Sequence, residues 1–288
     1  MIGIVLAGGT GSRLWPLTKG FSKQLLPVYD KPMIHYPIGT LMLAGMREIV
    51  IITSPQDADV YKSVLGDGTQ YGVKFEFAIQ HKPEGIAQAF SVVENFIDGK
   101  KTCLILGDNV FHGVSLGRNL KQYSDIDGAQ IFAYRVSNPT EYGVVDFSSD
   151  GEALSIEEKP QRPKSNYAIP GLYFYDQNVI EKSKTLKKSG RGEFEISDLN
   201  RMYLAEGKLN VTLLPRGTAW LDTGTPSDLQ DASQFIRTLE ERQGTKVNCL
   251  EEIAFLNGWT TKKDIEGVIR NIPNGTYKSY LMALIDEK

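Results

Sequence analysis

Short apolar runs alternate with stretches of helical periodicity along the first third of the chain, and this alternation constrains the fold more than any other feature. The runs show little sign of a polar face, which is typical of strands buried on both sides; they cover residues 3–7, 48–53, 74–79 and 102–106. The helical stretches between them cover residues 33–45, 56–66 and 85–97. We expect Pro37 to end or bend the first helix, because proline lacks a backbone N–H. The alternation predicts an α/β fold with a Rossmann-like, mostly parallel mixed sheet flanked by helices.

The pattern changes at about residue 129. Strand-like segments then follow one another without helical stretches between them, which predicts added antiparallel strands; they read AQIFAYRV, YGVVDF, LSIEEK and AIPGLYFYD. From residue 227 onward the apolar spacing is helical. We therefore divide the chain into a domain over residues 1–240, with halves at about 1–128 and 129–240, and a helical region over residues 241–288.

Charge and cysteine content exclude several classes of protein. The 32 basic and 35 acidic residues give a net charge of −3, which argues against a nucleic-acid-binding surface. The two cysteines, Cys103 and Cys249, are too few for a disulfide framework or a zinc cage and predict core thiols in a reducing compartment. The apolar run at residues 2–7 is too short for a signal peptide or a membrane span. We therefore expect a cytoplasmic protein that binds neither nucleic acid nor membrane.

A glycine-rich turn follows the first predicted strand and has few side chains, so its backbone N–H groups can approach an anion closely. The turn contains Gly8, Gly9, Thr10 and Gly11. It is not a Walker loop, and Leu14 stands where a dinucleotide-binding turn has its third glycine. Alone it could be a simple tight turn. With the cations of Arg13 and Lys23 close behind it, the turn predicts a clamp for a polyphosphate.

Longer motifs carry a family resemblance. The segment LAGGTGSRLWPLTKGFSKQLLPVYDKPMI resembles the signature of nucleotidyltransferases that make nucleoside-diphosphate sugars, and its second half is most similar to the glucose-1-phosphate thymidylyltransferase branch. Further motifs of that branch follow in the same order: GDNVFHG, EYGVV, IEEKP, GLYFYD, GRGEFEISDLN and AWLDTGTP. The resemblance implies transfer of a thymidylyl group from dTTP to α-D-glucose 1-phosphate, giving dTDP-glucose and pyrophosphate. It also implies a homotetramer with a C-terminal interface and regulatory region.

Two aspartates fit this chemistry. Asp108 follows a buried strand and Asp222 precedes a glycine turn, although each could be only a turn or capping residue. Mg²⁺ needs one or two carboxylates besides phosphate oxygens and water, and the resemblance implies that both aspartates hold it. The sugar phosphate is already an anion, so in-line attack on the α-phosphorus requires no protein nucleophile or base, only alignment and neutralisation of charge by Arg13, Lys23 and Mg²⁺.

The second half of the chain supplies candidate sugar contacts. Glu158 and Lys159 are adjacent on a predicted strand and should face opposite sides, and both could be simple edge charges. The resemblance implies that Glu158 binds sugar hydroxyls and that Lys159 and Arg191 bind the sugar phosphate. It assigns the remaining sugar contacts to Asn109, Tyr142 and Gly143.

Candidate base contacts lie in the first half. We expect Gln80 to end its strand and Gly85 to open the next helix, at the same sheet edge as Asp108. A glutamine amide offers a donor and an acceptor, which suits the O4 and N3–H edge of thymine or uracil. With the resemblance, Gln80 and Gly85 are assigned to the base and Gln24 to the deoxyribose.

Three alternatives remain open from the sequence. A uridylyltransferase built on the same scaffold is the first alternative. Thymine and uracil differ by one methyl group, and a pocket for one methyl group discriminates only about 10- to 200-fold. A non-catalytic sugar-nucleotide-binding module has little use for paired cations and carboxylates, and a nicotinamide dehydrogenase is disfavoured by the missing third glycine.

The histidines His35, His81 and His112 lie in separate segments without a serine or cysteine partner, so we expect structural roles for them.

Overall fold

The computed structural model describes residues 1–9, 11–97 and 99–286. The described residues form strands β1 (Ile2–Leu6), β2 (Pro27–Val28), β3 (Lys31–Pro32), β4 (Glu48–Thr53), β5 (Lys74–Ile79), β6 (Thr102–Leu106), β7 (Asn109–His112), β8 (Ala129–Arg135), β9 (Gly143–Phe147), β10 (Ala153–Glu158), β11 (Tyr167–Ala168), β12 (Leu172–Tyr175), β13 (Leu209–Leu213) and β14 (Ala219–Asp222). They form helices α1 (His35–Leu43), α2 (Ala58–Leu65), α3 (Gln88–Ile97), α4 (Leu116–Lys121), α5 (Val179–Thr185), α6 (Ile196–Ala205), α7 (Pro226–Gln243), α8 (Leu250–Leu256), α9 (Lys262–Asn271) and α10 (Thr276–Asp286).

A ten-stranded mixed sheet organises the molecule, as the alternating pattern predicts. Strand β1 pairs in parallel with β4 on one side and β6 on the other, and β5 extends the parallel set beyond β4. The carboxyl ends of these four strands therefore lie at one edge, where open α/β sheets bind their ligands. The glycine-rich turn, Gln80 and Asp108 each follow one of these strands, so they share that edge.

Strands from the second half widen the sheet beyond β6. Strand β12 lies antiparallel between β6 and β8, and β11, β9 and β10 continue outward in antiparallel pairs. Strand β13 pairs with β8 in parallel. The prediction of added antiparallel strands is therefore confirmed.

Both faces of the central strands are buried, which explains why their sequences are apolar throughout. Along β1, Val5 packs into the core on one face of the sheet and Ile4 into the core on the other. Cys103 and Leu104 alternate in the same way along β6. Cys103 and Cys249 are both buried free thiols, as the sequence predicts.

The effect expected of Pro37 is wrong. Helix α1 starts at His35, so Pro37 is its third residue and the helix continues to Leu43. The first backbone N–H groups of a helix have no partner within it, and a proline there removes no hydrogen bond.

The C-terminal helices pack against the first half of the chain rather than standing apart. Helix α7 begins with a capping box between Thr225 and Asp228 and runs to Gln243, so the division expected at residue 240 falls within its last turn. Asn248 Nδ2 donates to the carbonyl oxygen of Tyr36 in α1 at 2.6 Å. Among the described residues no helix is long and apolar enough to cross a membrane.

Candidate active site

Four charged side chains meet at the carboxyl edge of the sheet. Lys23 Nζ lies 2.6 Å from Asp108 Oδ2, and this ion pair is largely shielded from solvent. The Arg13 guanidinium packs over Gly224, whose Cβ, if it had one, would lie 3.0 Å from Arg13 Nη1. In the described part of the chain this guanidinium forms no ion pair, and it lies close enough to Asp222 to stabilise its charged form. The structure therefore brings the two predicted cations and the two predicted metal ligands together.

A two-stranded antiparallel ribbon positions the carboxylates. Strand β14 pairs with β7 so that Asp222 stands opposite Asn109, the residue after Asp108. The ladder continues past the strand end, because the backbone N–H and the hydroxyl of Thr223 both donate to the carbonyl oxygen of Asp108, at 3.1 and 2.9 Å. Asn109 Nδ2 donates to Asp108 Oδ1 at 2.9 Å and fixes that carboxylate further.

The pKa of Asp222 is raised by its surroundings. Burial, and then the negative charge of Asp108, raise the pKa of Asp222 to about 6, although Lys23 and Arg13 oppose the shift. The pKa of the Tyr173 hydroxyl is also raised, first by burial and then by the charges of Glu158, Asp108 and Asp222. A cation between the aspartates would relieve their repulsion, so this donor set fits a divalent metal.

Two cavities adjoin at these charges. The first, which we call the loop cavity, is lined by Gly9, Gly11, Ser12, Arg13, Lys23, Gln24, Asp108 and Gly224. The lining of the second, which we call the carboxylate cavity, includes Arg13, Asp108 and Asp222. It also includes the predicted sugar contacts Asn109, Tyr142, Gly143, Glu158 and Lys159. Arg13 and Asp108 line both cavities, so ligands in the two would meet there.

The glycine-rich turn forms the floor of the loop cavity. Gly11 adopts a left-handed φ of 60°, which favours glycine, and its Cβ would lie 2.8 Å from Thr18 Cγ2. Gln24 is buried beside this turn and accepts a hydrogen bond from Ser22 Oγ at 3.0 Å. Thr10, the remaining residue predicted in the turn, lies outside the described residues.

The expectation that Glu158 and Lys159 face opposite sides is wrong. Both line the carboxylate cavity. Strand β10 ends at Glu158, and Lys159 has a left-handed φ of 42°, so the alternation of a strand no longer applies to it. Glu158 is oriented by Ser197, whose hydroxyl donates to Oε2 at 2.5 Å.

Arg191 lies at the margin of this cavity rather than in its lining. Its guanidinium donates to both carboxylate oxygens of Glu195, at 3.0 and 2.9 Å, and to Glu193 at 3.1 Å. Its Nη2 atom also lies 3.6 Å from Glu158 Oε1. Arg191 is thus close to the cavity but held by three carboxylates.

The predicted base contacts form a separate group beside the turn. Gln80 is buried, and a Cβ on Gly8 would lie 2.4 Å from Gln80 Oε1, so this amide covers Gly8. Gly85 does not open α3, which begins three residues later at Gln88; it has a φ of 111°, and a Cβ there would lie 2.4 Å from the carbonyl oxygen of Phe194. Gln80 and Gly85 line neither of the two cavities.

Sequence reasoning missed several cavity residues although it quoted their motifs. Trp220 donates its indole N–H to Asn109 Oδ1 at 2.7 Å, and Ser197 holds Glu158. Further lining side chains come from Tyr173 and Asn200. Their segments resemble family motifs, but a serine, tryptophan or tyrosine carries no charge that would single it out in a sequence.

No group of three or more histidine, cysteine, aspartate or glutamate side chains is arranged for a metal in the residues described. A pair of aspartates suits Mg²⁺, which takes few ligands from the protein, better than a metal whose ligands all come from the protein.

Comparisons with known proteins identify the family of the chain. The sequence model of the family described as nucleotidyl transferase matches residues 2–238. The glucose-1-phosphate thymidylyltransferases of Neisseria gonorrhoeae and Mycobacterium tuberculosis are 53% and 54% identical to the chain, each over 99% of both sequences. That of Mycolicibacterium smegmatis is 51% identical over the full length of both.

Solved structures show the same fold. A Bacillus anthracis protein crystallised with sucrose, provisionally described as a glucose-1-phosphate thymidylyltransferase, superposes with a TM-score of 0.76 and 39% identity over 82% of this chain and 96% of its own. A UDP-glucose pyrophosphorylase complexed with UDP-glucose, at 21% identity, gives a TM-score of 0.73 over 83% of this chain and 98% of its own. By full-length sequence similarity and by fold, the chain is an enzyme of the nucleotidyl transferase family and belongs with its glucose-1-phosphate thymidylyltransferases.

Proposed function

We propose that the chain transfers a thymidylyl group from dTTP to α-D-glucose 1-phosphate, and that Arg13, Lys23, Asp108 and Asp222 carry this reaction. The observation that carries the proposal is the junction of the two cavities at Arg13 and Asp108. One cavity has a glycine-rich floor and two cations, which suit a triphosphate. The other holds a carboxylate and a lysine, which suit the hydroxyls and the phosphate of a sugar phosphate.

The reaction needs alignment more than acid–base chemistry. A phosphate oxygen of glucose 1-phosphate forms a bond to the α-phosphorus of dTTP, the bond from that phosphorus to the bridging oxygen breaks, and pyrophosphate leaves. Repulsion between the two anions opposes this step. Arg13 and Lys23 oppose the repulsion at the junction, and each well-placed donor of this kind contributes about 3 kcal/mol to transition-state stabilisation.

Mg²⁺ is the proposed cofactor, with Asp108 and Asp222 as its ligands. When bound, it would supply positive charge against the phosphate oxygens. Lys23 now neutralises Asp108 across 2.6 Å. Its ammonium would be free to turn to the phosphates once that carboxylate has another positive partner.

The binding roles of the remaining residues are proposals supported by where they lie. Gly9, Gly11 and Gln24 line the loop cavity, and Gly8 lies under the Gln80 amide. All four are assigned to the nucleotide, together with Gln80 and Gly85. The sugar phosphate is assigned to the residues of the carboxylate cavity and its margin: Asn109, Tyr142, Gly143, Glu158, Lys159 and Arg191.

We further propose the division predicted from the sequence, with a nucleotide-binding half at about 1–128, a sugar-binding half at about 129–240 and an interface region at 241–288. The cytoplasmic location, the homotetramer and the regulatory role of the C-terminal helices are proposals that rest on the sequence alone. Light scattering coupled to size-exclusion chromatography tests the tetramer; a monomer at micromolar concentration would contradict it.

A direct assay tests the activity. Pyrophosphate release is measured with dTTP, UTP, CTP and ATP in turn, each with glucose 1-phosphate, galactose 1-phosphate and mannose 1-phosphate, with and without Mg²⁺. We expect Mg²⁺-dependent release that is greatest with dTTP and glucose 1-phosphate. Comparable turnover with CTP or ATP would overturn the base assignment, greater turnover with UTP would favour a uridylyltransferase, and binding without release would favour a non-catalytic module.

A further inference from the structure

We propose that Gln88 is a positioning residue that fixes which end of the Gln80 side-chain amide faces the nucleobase, and that it thereby favours thymine and uracil over cytosine. The inference rests on the proposed function, in which Gln80 reads the base. Gln88 is the first residue of α3 and lies outside both cavities, so it would act through Gln80 and not by touching the substrate at the reacting phosphates.

A chain of hydrogen bonds sets the direction of the Gln80 amide. The backbone N–H of Glu84 donates to Gln88 Oε1 at 2.9 Å. Because a backbone N–H can only donate, the Gln88 atom that receives it must be the carbonyl oxygen. The Gln80 atom 2.7 Å from that same oxygen must then be a donor, the amide nitrogen Nε2.

A second contact fixes the other end of Gln88. Its Nε2 donates to Glu84 Oε2 at 3.3 Å, and a carboxylate can only accept. Glu84 is itself held by Lys188, whose Nζ lies 2.6 Å from Oε1. If the Gln88 amide were flipped, its oxygen would face the Glu84 carboxylate and its N–H group would face the backbone N–H of Glu84. Both contacts would be repulsive, so the orientation of the Gln88 amide is determined at both ends.

The backbone donor that starts this chain is also held in place. Phe194 N–H donates to the carbonyl oxygen of Glu84 at 2.7 Å, and Ala87 N–H donates to the carbonyl oxygen of Phe194 at 3.1 Å. Gly85, between them, packs directly on Phe194. The turn at residues 84–87 is therefore fixed to the loop before α6.

The consequence lies at the glycine-rich turn. With Nε2 turned to Gln88, the Gln80 oxygen Oε1 lies over Gly8, 2.4 Å from where a Cβ would stand. One N–H of Nε2 remains after the bond to Gln88. The amide thus offers an acceptor and a donor in a fixed order beside the loop cavity.

This order distinguishes classes of pyrimidine. Thymine and uracil present N3–H, a donor, next to O4, an acceptor, and so complement Oε1 and the remaining N–H of Gln80. Cytosine presents the reverse, an acceptor at N3 and a donor at N4. It would match only an inverted Gln80 amide, whose oxygen would then oppose Gln88 Oε1. The arrangement does not read the methyl group that separates thymine from uracil.

The test compares kcat/KM for dTTP, dUTP and dCTP in the full chain with glucose 1-phosphate as acceptor. In Gln88→Met, whose thioether sulfur is only a weak acceptor for the Gln80 amide, we expect the preference for dTTP over dCTP to fall at least about tenfold, the range of one mismatched hydrogen bond. The ratio of dTTP to dUTP and the KM for glucose 1-phosphate should remain unchanged. Gln88→Ala tests the same loss should the methionine variant fail to fold, with the melting temperature as the check.

Two further variants separate positioning from a merely structural role. Glu84→Gln keeps the backbone donor, so we expect it to retain the preference for dTTP over dCTP. The double variant Glu84→Gln/Gln88→Glu exchanges the two side chains while keeping an acceptor at position 88, and we expect it to restore the preference lost in Gln88→Met.

The outcomes distinguish this inference from the proposed function. If the unaltered enzyme releases no pyrophosphate from dTTP, the proposed function fails. If it strongly prefers dTTP over dCTP but Gln88→Met and Gln88→Ala keep that preference, the function stands and the role of Gln88 is overturned. Equal use of dTTP and dCTP by the unaltered enzyme would overturn the reading of the base by Gln80 and the role of Gln88 together.

Discussion

Asp222 stands opposite Asn109 in the antiparallel pairing of β14 and β7, and this register brings the Asp222 carboxylate to that of Asp108 from a distant part of the chain. The same ribbon continues in the bonds from Thr223 to the carbonyl oxygen of Asp108. Backbone structure thus holds two carboxylates together at a cost: burial, and then the negative charge of Asp108, raise the pKa of Asp222. Such a cost is characteristic of sites arranged for function rather than stability.

Asp222→Asn is expected to abolish most turnover while leaving the fold intact. The amide keeps the size of the side chain but removes a charged oxygen ligand, and loss of one electrostatic group at a reacting phosphate lowers kcat by about 10²–10³-fold. Pyrophosphate release across a Mg²⁺ titration measures the effect. Near-normal rates at saturating Mg²⁺ would remove Asp222 from the proposed metal site.

The same substitution is expected to stabilise the metal-free protein at neutral and higher pH. Because the folded-state pKa of Asp222 is raised from 3.8 to about 6, this carboxyl group contributes stability that is fully present below pH 3.8 and lost as the pH rises through 6. A shift of two units corresponds to about 3 kcal/mol, of which roughly 1–3 kcal/mol should be regained by an asparagine that never ionises.

Urea unfolding in EDTA at pH 4 and pH 8 measures this difference. Asp222→Asn should exceed the unaltered protein in unfolding free energy at pH 8 and match it at pH 4. An equal difference at both pH values would show that ionisation of Asp222 is not its cause.

Part of this site could be predicted from the sequence, because the topology of the sheet determines where several of its residues lie. Parallel strands place the residues that follow them at one edge, so Arg13 and Asp108 could be expected there once the alternating pattern was recognised. The partnership of Asp108 with Asp222 could not be derived in this way, since it depends on the pairing of two short strands that have no distinctive pattern. It came from the family resemblance.

Local backbone conformation explains two predictions that were wrong: that Glu158 and Lys159 face opposite sides, and that Gly85 opens helix α3. Lys159 turns to the same cavity as Glu158 because its backbone is left-handed. Lysine is not a residue type that indicates a left-handed backbone in a sequence. Helix α3 starts after Gly85 because the turn before it packs against Phe194, a contact between segments far apart in the sequence. Both depend on tertiary neighbours that spacing along the chain does not reveal.

Lys23→Met is expected to reduce both stability and turnover. It leaves the largely buried carboxylate of Asp108 without the ammonium group at 2.6 Å, and loss of one partner from such a pair costs about 2–4 kcal/mol. Chemical unfolding with and without Mg²⁺ measures this cost, which should shrink when the metal is present. Lys19→Met is the matched control, because Lys19 is exposed and its ammonium lies over the Trp15 ring; an equal loss in both variants would contradict a specific role for Lys23.

Gly8→Ala and Gly9→Ala form a pair that tests whether the Gln80 amide must cover the glycine-rich turn. A methyl group at residue 8 would lie 2.4 Å from Gln80 Oε1 and must displace it. Among the described residues other than its chain neighbours, a methyl group at residue 9 would meet no atom within 4 Å. We expect Gly8→Ala to reduce the preference for dTTP over dCTP by about tenfold, the loss of roughly one hydrogen bond. Gly9→Ala, whose methyl group enters the loop cavity, should raise the KM for every nucleotide alike and leave the preference unchanged. Loss of base preference in Gly9→Ala but not in Gly8→Ala would place the base away from Gln80.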